Sequence, residues 1–374
     1  MRSTVGILMI LILGLVLSVA VFRNRAQPSV DKEPDPTSQT QASGTSMARP
    51  SPPTTTAQSR ITNVLNVTGL TDRADLIIVG QVTGVNDQSV ASKADVNGAT
   101  PADGLVASLR VKRVIKGSVE ASGGQQSLLS VEMPHQGKRG VGVGTTGVFF
   151  LTQTPSHTYT VVDSDNPYVP AKEPSPANTG DALDRVAAEV AGVLESKEAS
   201  IYDRKDAIFA LRGVKTDTAT TALRRAARDE NAEVRLLGMV TLLGNGDLSV
   251  LGKFADMLLN APSGIPSPYT AENLSGALRS LDNPEAVPTL ARLLHARNAG
   301  VRRNAAMGLR HIGTAAVITP LSGALDDSDQ VVRYQAVMGL AAATGEMTGA
   351  PSLELFKSDE KKYINYWRGR VRNQ

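Results

Sequence analysis

Ala277-Leu278-Arg279-Ser280-Leu281 and Gly308-Leu309-Arg310-His311-Ile312 are one five-residue frame, met twice at a spacing of 31. At that shift Leu290 falls on Leu321, Leu294 on Leu325, and Val301-Arg302 on Val332-Arg333. A shift of 67 backwards brings Leu278 onto Leu211, Leu290 onto Leu223, and Val301-Arg302 onto Val234-Arg235. Sixty-seven is one period of 31 and one of 36, the surplus falling in the Pro- and Gly-bearing stretch 261–268. Self-similarity at such a period is the mark of stacked supersecondary units.

Each unit divides into two short helices. Ser200, Asn231, Ser267, Asn298 and Asp329 line up as N-caps of the first helices, and all are residue types whose side chains accept from free first-turn amides. The second helices are expected near Asp217, Asp247, Asn283-Pro284 and Thr314. Pro284 after Asn283 is a strong start, because a first-turn residue needs no amide hydrogen. An arginine follows the cap by four residues in four of five units, as Arg204, Arg235, Arg302 and Arg333; the third has Ala271. This column either meets acidic groups of a partner or pairs with Asp229, Asp327 or Asp329 in the turns of adjacent units. Tyr363, Tyr366 and Trp367, in the final stretch 358–371, either pack the end of the stack as a capping helix or form an exposed contact site.

This pattern resembles the short HEAT-like helical-hairpin repeats of bacterial proteins, more compact than the ~40–47 residues of longer HEAT units. The resemblance implies an all-α superhelical solenoid over 181–374, with units starting near 200, 231, 267, 298 and 329. It also implies a surface for binding protein partners. Some enzymes, the bilin lyases among them, are built on similar repeats. A cofactor-handling lyase is therefore an alternative, although no residue identifies that chemistry.

Upstream, over 61–172, the pattern is short strands separated by Gly, Asn, Asp and Ser: Leu76 to Val85, Leu105 to Ile115, Leu128 to Met133, Val148 to Thr152 and Tyr159 to Val162. A small all-β barrel or sandwich is expected. Arg73-Ala74-Asp75 leading into Ile77 to Val82, Ile115-Lys116-Gly117, and Gly144 to Gly147 leading into Phe149-Phe150-Leu151 resemble the netrin-like, OB-type barrel of tissue inhibitors of metalloproteinases. The resemblance implies an OB-like barrel. It also gives a second function, inhibitor or regulator of an extracytoplasmic hydrolase. The chain has no cysteine, so the metal-chelating amino-terminal cysteine and the disulfides of those inhibitors are missing.

At the amino terminus a tail of four residues (1–4) precedes an uncharged run, 5–22, whose 18 residues as a helix span about 27 Å, close to the hydrocarbon thickness of a bilayer. It reads as a transmembrane signal anchor, or as a cleavable signal with Ser18 and Ala20 at the small-x-small site. The segment 23–60 is rich in Pro, Ser and Thr, has almost no large apolar residue, and reads as a disordered stalk. The bulk of the chain is expected outside the cytoplasm, in the periplasm.

Composition removes other classes. From 181 onward 24 Lys/Arg face 23 Asp/Glu, so the basic excess that phosphate backbones need is missing and nucleic acid is not expected. His135, His157, His295 and His311 are scattered, and no metal or cofactor is expected. Gly142, Gly144 and Gly147 match a dinucleotide-loop spacing, but a strand follows where a helix is required, so they read as a hairpin turn. Ser164-Asp165-Asn166 and 358–361 match two elements of penicillin-binding enzymes in reversed order, without the third. No catalytic residue is expected, and the first reading is a membrane-anchored interaction scaffold rather than an enzyme.

Overall fold

The computed structural model describes residues 67–87, 104–119, 127–134, 140–172, 180–260 and 271–372. The expected anchor 5–22, the stalk 23–60, Ser267 and His135 lie outside them. No helix among the described residues is long and apolar enough to cross a membrane.

A helix that the sequence reading did not foresee, α1 (Val67–Arg73), precedes the first strand. Its buried Val67 and Leu70 stand three apart, one helical turn. Six strands follow among the described residues: β1 (Leu76–Asp87), β2 (Gly104–Lys116), β3 (Leu128–Pro134), β4 (Thr146–Gln153), β5 (Tyr159–Val161) and β6 (Val169–Pro170). Their order is β1-β2-β3-β5-β4, and β4 pairs back onto β1, which closes five strands into a barrel; β6 adds to β4. Only β3 and β5 run parallel. Of barrel and sandwich it is therefore the barrel, in agreement with the OB-like expectation. Irregular register between β1 and β2, at Val79/Gly80 and Val82/Gly84, lets this long pair curve around the ring.

Leu76, Ile78, Val82, Leu109, Val131, Phe149 and Leu151 fill the barrel interior. Their neighbours Ile77, Val79, Val148 and Phe150 point outward, yet they are just as buried. The uninterrupted apolar runs Leu76–Val79 and Val148–Leu151 are strands covered on both faces, which is why they do not alternate. The outer cover is α1 and α2 (Ala182–Glu195), whose Val186, Val190, Val193 and Leu194 join the same core. That core continues without a break to Trp367 near the carboxyl terminus. The barrel therefore shares its outer face with the helical stack, and residues 64–374 form one unit. Burying each of those four outward side chains contributes about 1.5–3 kcal/mol.

The seam also carries charge. Arg185 of α2 donates to the carbonyl oxygens of Ile115 and Val114, both at 2.7 Å, closing free acceptors at the end of β2. Glu189, one turn on, lies on the apolar stripe and is only 3% exposed, with Arg113 of β2 at 2.7 Å. Its second oxygen and the Arg113 Nε have no partner. Burial raises the Glu189 carboxyl above the ordinary range, against the pull of Arg113 and Arg185. An acid whose folded pKa is raised stabilises the fold below its unfolded value of about 4.3, and that stability is lost as pH rises through the folded value. Glu189→Gln, which mimics the neutral acid, is thus expected to match the wild type at low pH and to exceed its Tm at neutral pH. Thermal melts across pH check this; a variant less stable at every pH contradicts it.

Beyond the seam the chain runs as helix pairs: α3 (Ile201–Ala210) with α4 (Asp217–Ala226), α5 (Ala232–Gly244) with α6 (Leu251–Asn260), α7 (Ala271–Ser275) with α8 (Val287–Leu293), and α9 (Ala299–Ile312) with α10 (Ile318–Ala324). Then come α11 (Gln330–Thr344), α12 (Leu353–Ser358) and α13 (Glu360–Arg372). Ser200, Asn231, Asn298 and Asp329 each accept from first-turn amides, as expected of caps. Second helices open at Asp217 and after the caps Asp247 and Asn283. Thr314 makes no side-chain capping bond, and its buried hydroxyl has no partner. The third unit departs most: α7 has five residues and continues as a 3₁₀ stretch, Gly276–Ser280. Buried Asn304 of α9 fastens it, donating to the Glu272 carbonyl at 3.0 Å and the Ser275 hydroxyl at 2.7 Å.

Candidate partner-binding surface

The arginine column lies along the turns between units. Arg302 donates Nε and Nη2 to the Asp327 carboxylate at 2.8 and 2.9 Å, and Nη1 back to the Ala296 carbonyl at 3.0 Å. One guanidinium thus holds the turn before its own helix and the turn of the next unit. Asp327 in turn accepts from the Asp329 amide at 2.7 Å, setting the entry to α11. Arg204 reaches Asp229 at 2.6 Å in the same 25-residue step. Arg235 donates to the Asp229 and Glu230 carbonyls at 2.6 and 3.0 Å. The residue 25 positions beyond it is Asn260, not an acid. Arg333 reaches back to the Asp327 carbonyl at 2.6 Å and forward to Glu360, the first residue of α13. The acid-pairing alternative is the geometry seen for Arg204 with Asp229 and Arg302 with Asp327; Arg333 pairs instead with Glu360, an acid outside the expected set. At the end of the stack, where no further turn exists, the capping helix supplies the carboxylate.

These pairs are mostly buried, with Arg302 and Asp327 side chains 12% and 10% exposed. Breaking a buried pair from one side strands the other charge, at a cost of about 3 kcal/mol. Arg302→Ala is expected to lose that much, and Arg302→Lys most of it, because an ammonium cannot satisfy two carboxylate oxygens and a carbonyl from one plane. Urea denaturation measures both; a lysine variant as stable as the wild type contradicts this role. Arg303 reinforces the joint, donating to Asp329 at 2.9 and 2.5 Å and holding that carboxyl below its ordinary range.

The aromatic group divides in two. Trp367 is buried against the stack, and Tyr363 packs on Phe356 at 6.2 Å between centroids. Phe356, fully buried, also meets Tyr334 at 5.5 Å and is the anchor of this end; sequence reading passed over it. Tyr366 is 54% exposed. Its hydroxyl donates to Glu346 at 2.5 Å, and Arg370 reaches the same carboxylate at 2.8 Å, together holding Glu346 below the ordinary carboxylate range.

The second helices present the other exposed face. Its charges are largely paired across units, Arg224 with Asp247 at 2.7 Å and Arg292 with Asp256 at 2.6 Å. Among the described residues no group of three His, Asp or Glu is arranged to hold a metal. His157, His295 and His311 stay apart, in the β4–β5 turn, after α8 and at the end of α9. Gly142 and Gly144 lie in the turn before β4, where Gly144 takes a φ of +92°, and Gly147 is the second residue of β4 itself, paired with Gly80 of β1. A Cβ on Gly147 would stand 2.5 Å from the Val169 carbonyl oxygen, so that glycine admits β6. Asp163 folds the Ser164–Asn166 turn, accepting from the Asp165 and Asn166 amides at 2.9 and 3.3 Å.

No curated protein matches the chain in sequence. Residues 255–341, from α6 to α11, match the family model described as HEAT repeats. That stretch of the stack is of the HEAT type, whose repeats commonly serve protein–protein binding.

Proposed function

We propose that the chain is a membrane-tethered, extracytoplasmic scaffold that binds a protein partner through the surface of its helical stack. The observation that carries the binding half is the stack itself. Its units are locked edge to edge by Arg204–Asp229 and Arg302–Asp327, and such a frame offers a long preformed surface at little ordering cost. The tether rests on the uncharged run 5–22 and the following stalk 23–60. The arginines of the column contribute by holding the turns; Tyr366 is the aromatic we assign to partner contact, with Tyr363 and Trp367 as its support.

Two measurements test the halves separately. Fractionated cells are expected to keep the full chain with the membrane after a high-salt wash, with the stack open to protease added from outside the cytoplasmic membrane. Release by salt, or protection from that protease, contradicts the tether or its direction. Chemical crosslinking in native membranes is expected to join the full chain to one discrete protein. Recovery of the uncrosslinked chain alone contradicts the scaffold.

A further inference from the structure

The ties that fasten the stack are unevenly spread. The first unit (α3, α4) is joined to the second (α5, α6) by Arg204 with Asp229, Lys205 with Glu233 and Arg224 with Asp247. Asn245 adds to them, accepting from the Gly213 amide at 2.7 Å and donating to the Leu211 and Val214 carbonyls at 3.2 and 3.0 Å. The fourth unit (α9, α10) is joined to α11 by Arg302 with Asp327, Arg303 with Asp329 and Arg310 with Gln335. The third unit (α7, α8) has Ala271 in place of the column's arginine, yet it is fastened to the fourth. Buried Asn304 bridges them, and Gly300 and Gly308 let α9 close on the Glu272 side chain and the Leu278 carbonyl.

The joint between the second and third units is built differently. Among the described residues one charged pair crosses it, Arg292 of α8 with Asp256 of α6, and both side chains are more than half exposed. Water and salt leave such a pair little hold. The remaining contact is apolar, α6 against α8 and α5 against the 3₁₀ stretch, with Phe254, Leu258, Leu278 and Leu290 in the shared core. Hydrophobic contact has no direction, so these faces can slide and stay buried. The third unit also presents a short first helix: α7 has five residues, against 13 in α5 and 14 in α9. A cavity of about 90 Å³ opens at the same joint, lined in part by Leu243, Asn245, Leu281 and Asp282.

We infer that this joint is a hinge between two blocks. One is the barrel with the first two units, and the other is the third unit with all that follows it. Packed helices that slide a little at a joint swing the ends of the blocks further. Each block is a preformed surface, and the angle between the two adapts to what the chain binds. Turning at the joint carries exposed Tyr366 toward or away from the barrel without breaking a buried ion pair. The hinge is measurable without a partner, so it stands or falls apart from the scaffold reading.

The test uses the absence of cysteine from the chain. Pairs of exposed residues changed to cysteine carry spin labels in the full-length chain, held in detergent micelles, and pulsed dipolar spectroscopy gives a distance distribution for each pair. One label stays at Leu355 in α12, and the other moves down the stack from Arg297 to Lys253 to Thr221, all exposed. The width is expected to about double from Arg297 to Lys253, where the hinge is crossed, and to change by less than about a quarter from Lys253 to Thr221. Thermal melts of the labelled chains are expected to match the wild type, which separates hinge motion from unfolding. Three equal widths, an even increase along the series, or a step that falls between Lys253 and Thr221 overturns the inference.

Discussion

Gly308→Ala is expected to destabilise the chain by about 2–3 kcal/mol, although alanine is the better helix former by about 1 kcal/mol. A Cβ at this position in α9 would collide with the Leu278 carbonyl oxygen and stand 3.2 Å from Leu290 Cδ1. The oxygen belongs to the 3₁₀ stretch Gly276–Ser280 and cannot swing aside as a side-chain end can. Gly339 is the same position one period later, and there the first atom met is the Cδ1 of Leu321. A leucine tip can turn away, although Arg310 Cα also stands 3.3 Å off, so Gly339→Ala is expected to cost less than Gly308→Ala, about 1–2 kcal/mol. Gly323, in the exposed part of α10, has nothing within 4 Å. Gly323→Ala is expected to stabilise by about 0.5–1 kcal/mol. Urea denaturation ranks the three; a Gly308 variant as stable as the wild type would mean that α9 does not cross the third unit this closely.

Severing the stack from the barrel is expected to do more damage still. A chain ending at Asn178 lacks α2 and every repeat, and it uncovers Ile77, Val79, Val148 and Phe150 together. It also leaves the Ile115 and Val114 carbonyls without Arg185. Loss of four buried apolar side chains at about 1.5–3 kcal/mol each is comparable to the whole stability of a small domain. The shortened chain is expected to bind a hydrophobic dye and aggregate, while the intact chain melts in a single transition that includes barrel and seam. A soluble, cooperatively folded shortened chain would show that the shared core is not needed. The same physics makes deletion of the repeats a poor probe of function, because it removes a fold along with a surface.

Much of this was legible. Caps at Ser200, Asn231, Asn298 and Asp329 and the 31-residue period place the helices, because capping and close packing are written in residue type and spacing. The strands were legible too, from β-branched runs between turn residues. The shared core was only half written. Val148–Leu151 shows that a strand is covered on both faces, but it does not name the cover, which lies more than 30 residues away in α2. Glu189 was signalled by its place on the apolar stripe of α2, at helical spacing from Val186 and Val193. Phe356 was not, since α12 is too short to show a period. In the arginine column sequence allowed two readings, and only distance separates them: a guanidinium 25 residues before an aspartate is a turn-to-turn clasp when the turns stack.

The most direct measurement places a photocrosslinking amino acid at single exposed positions of the full-length chain in its native membrane. Thr221, Lys253, Thr319 and Tyr366 sample the stack, and Leu128 and Ser130 sample the barrel. The account predicts that one protein is crosslinked from stack positions, most strongly from Tyr366, and not from the barrel. Crosslinks confined to Leu128 and Ser130 would make the barrel the binding part and contradict the account.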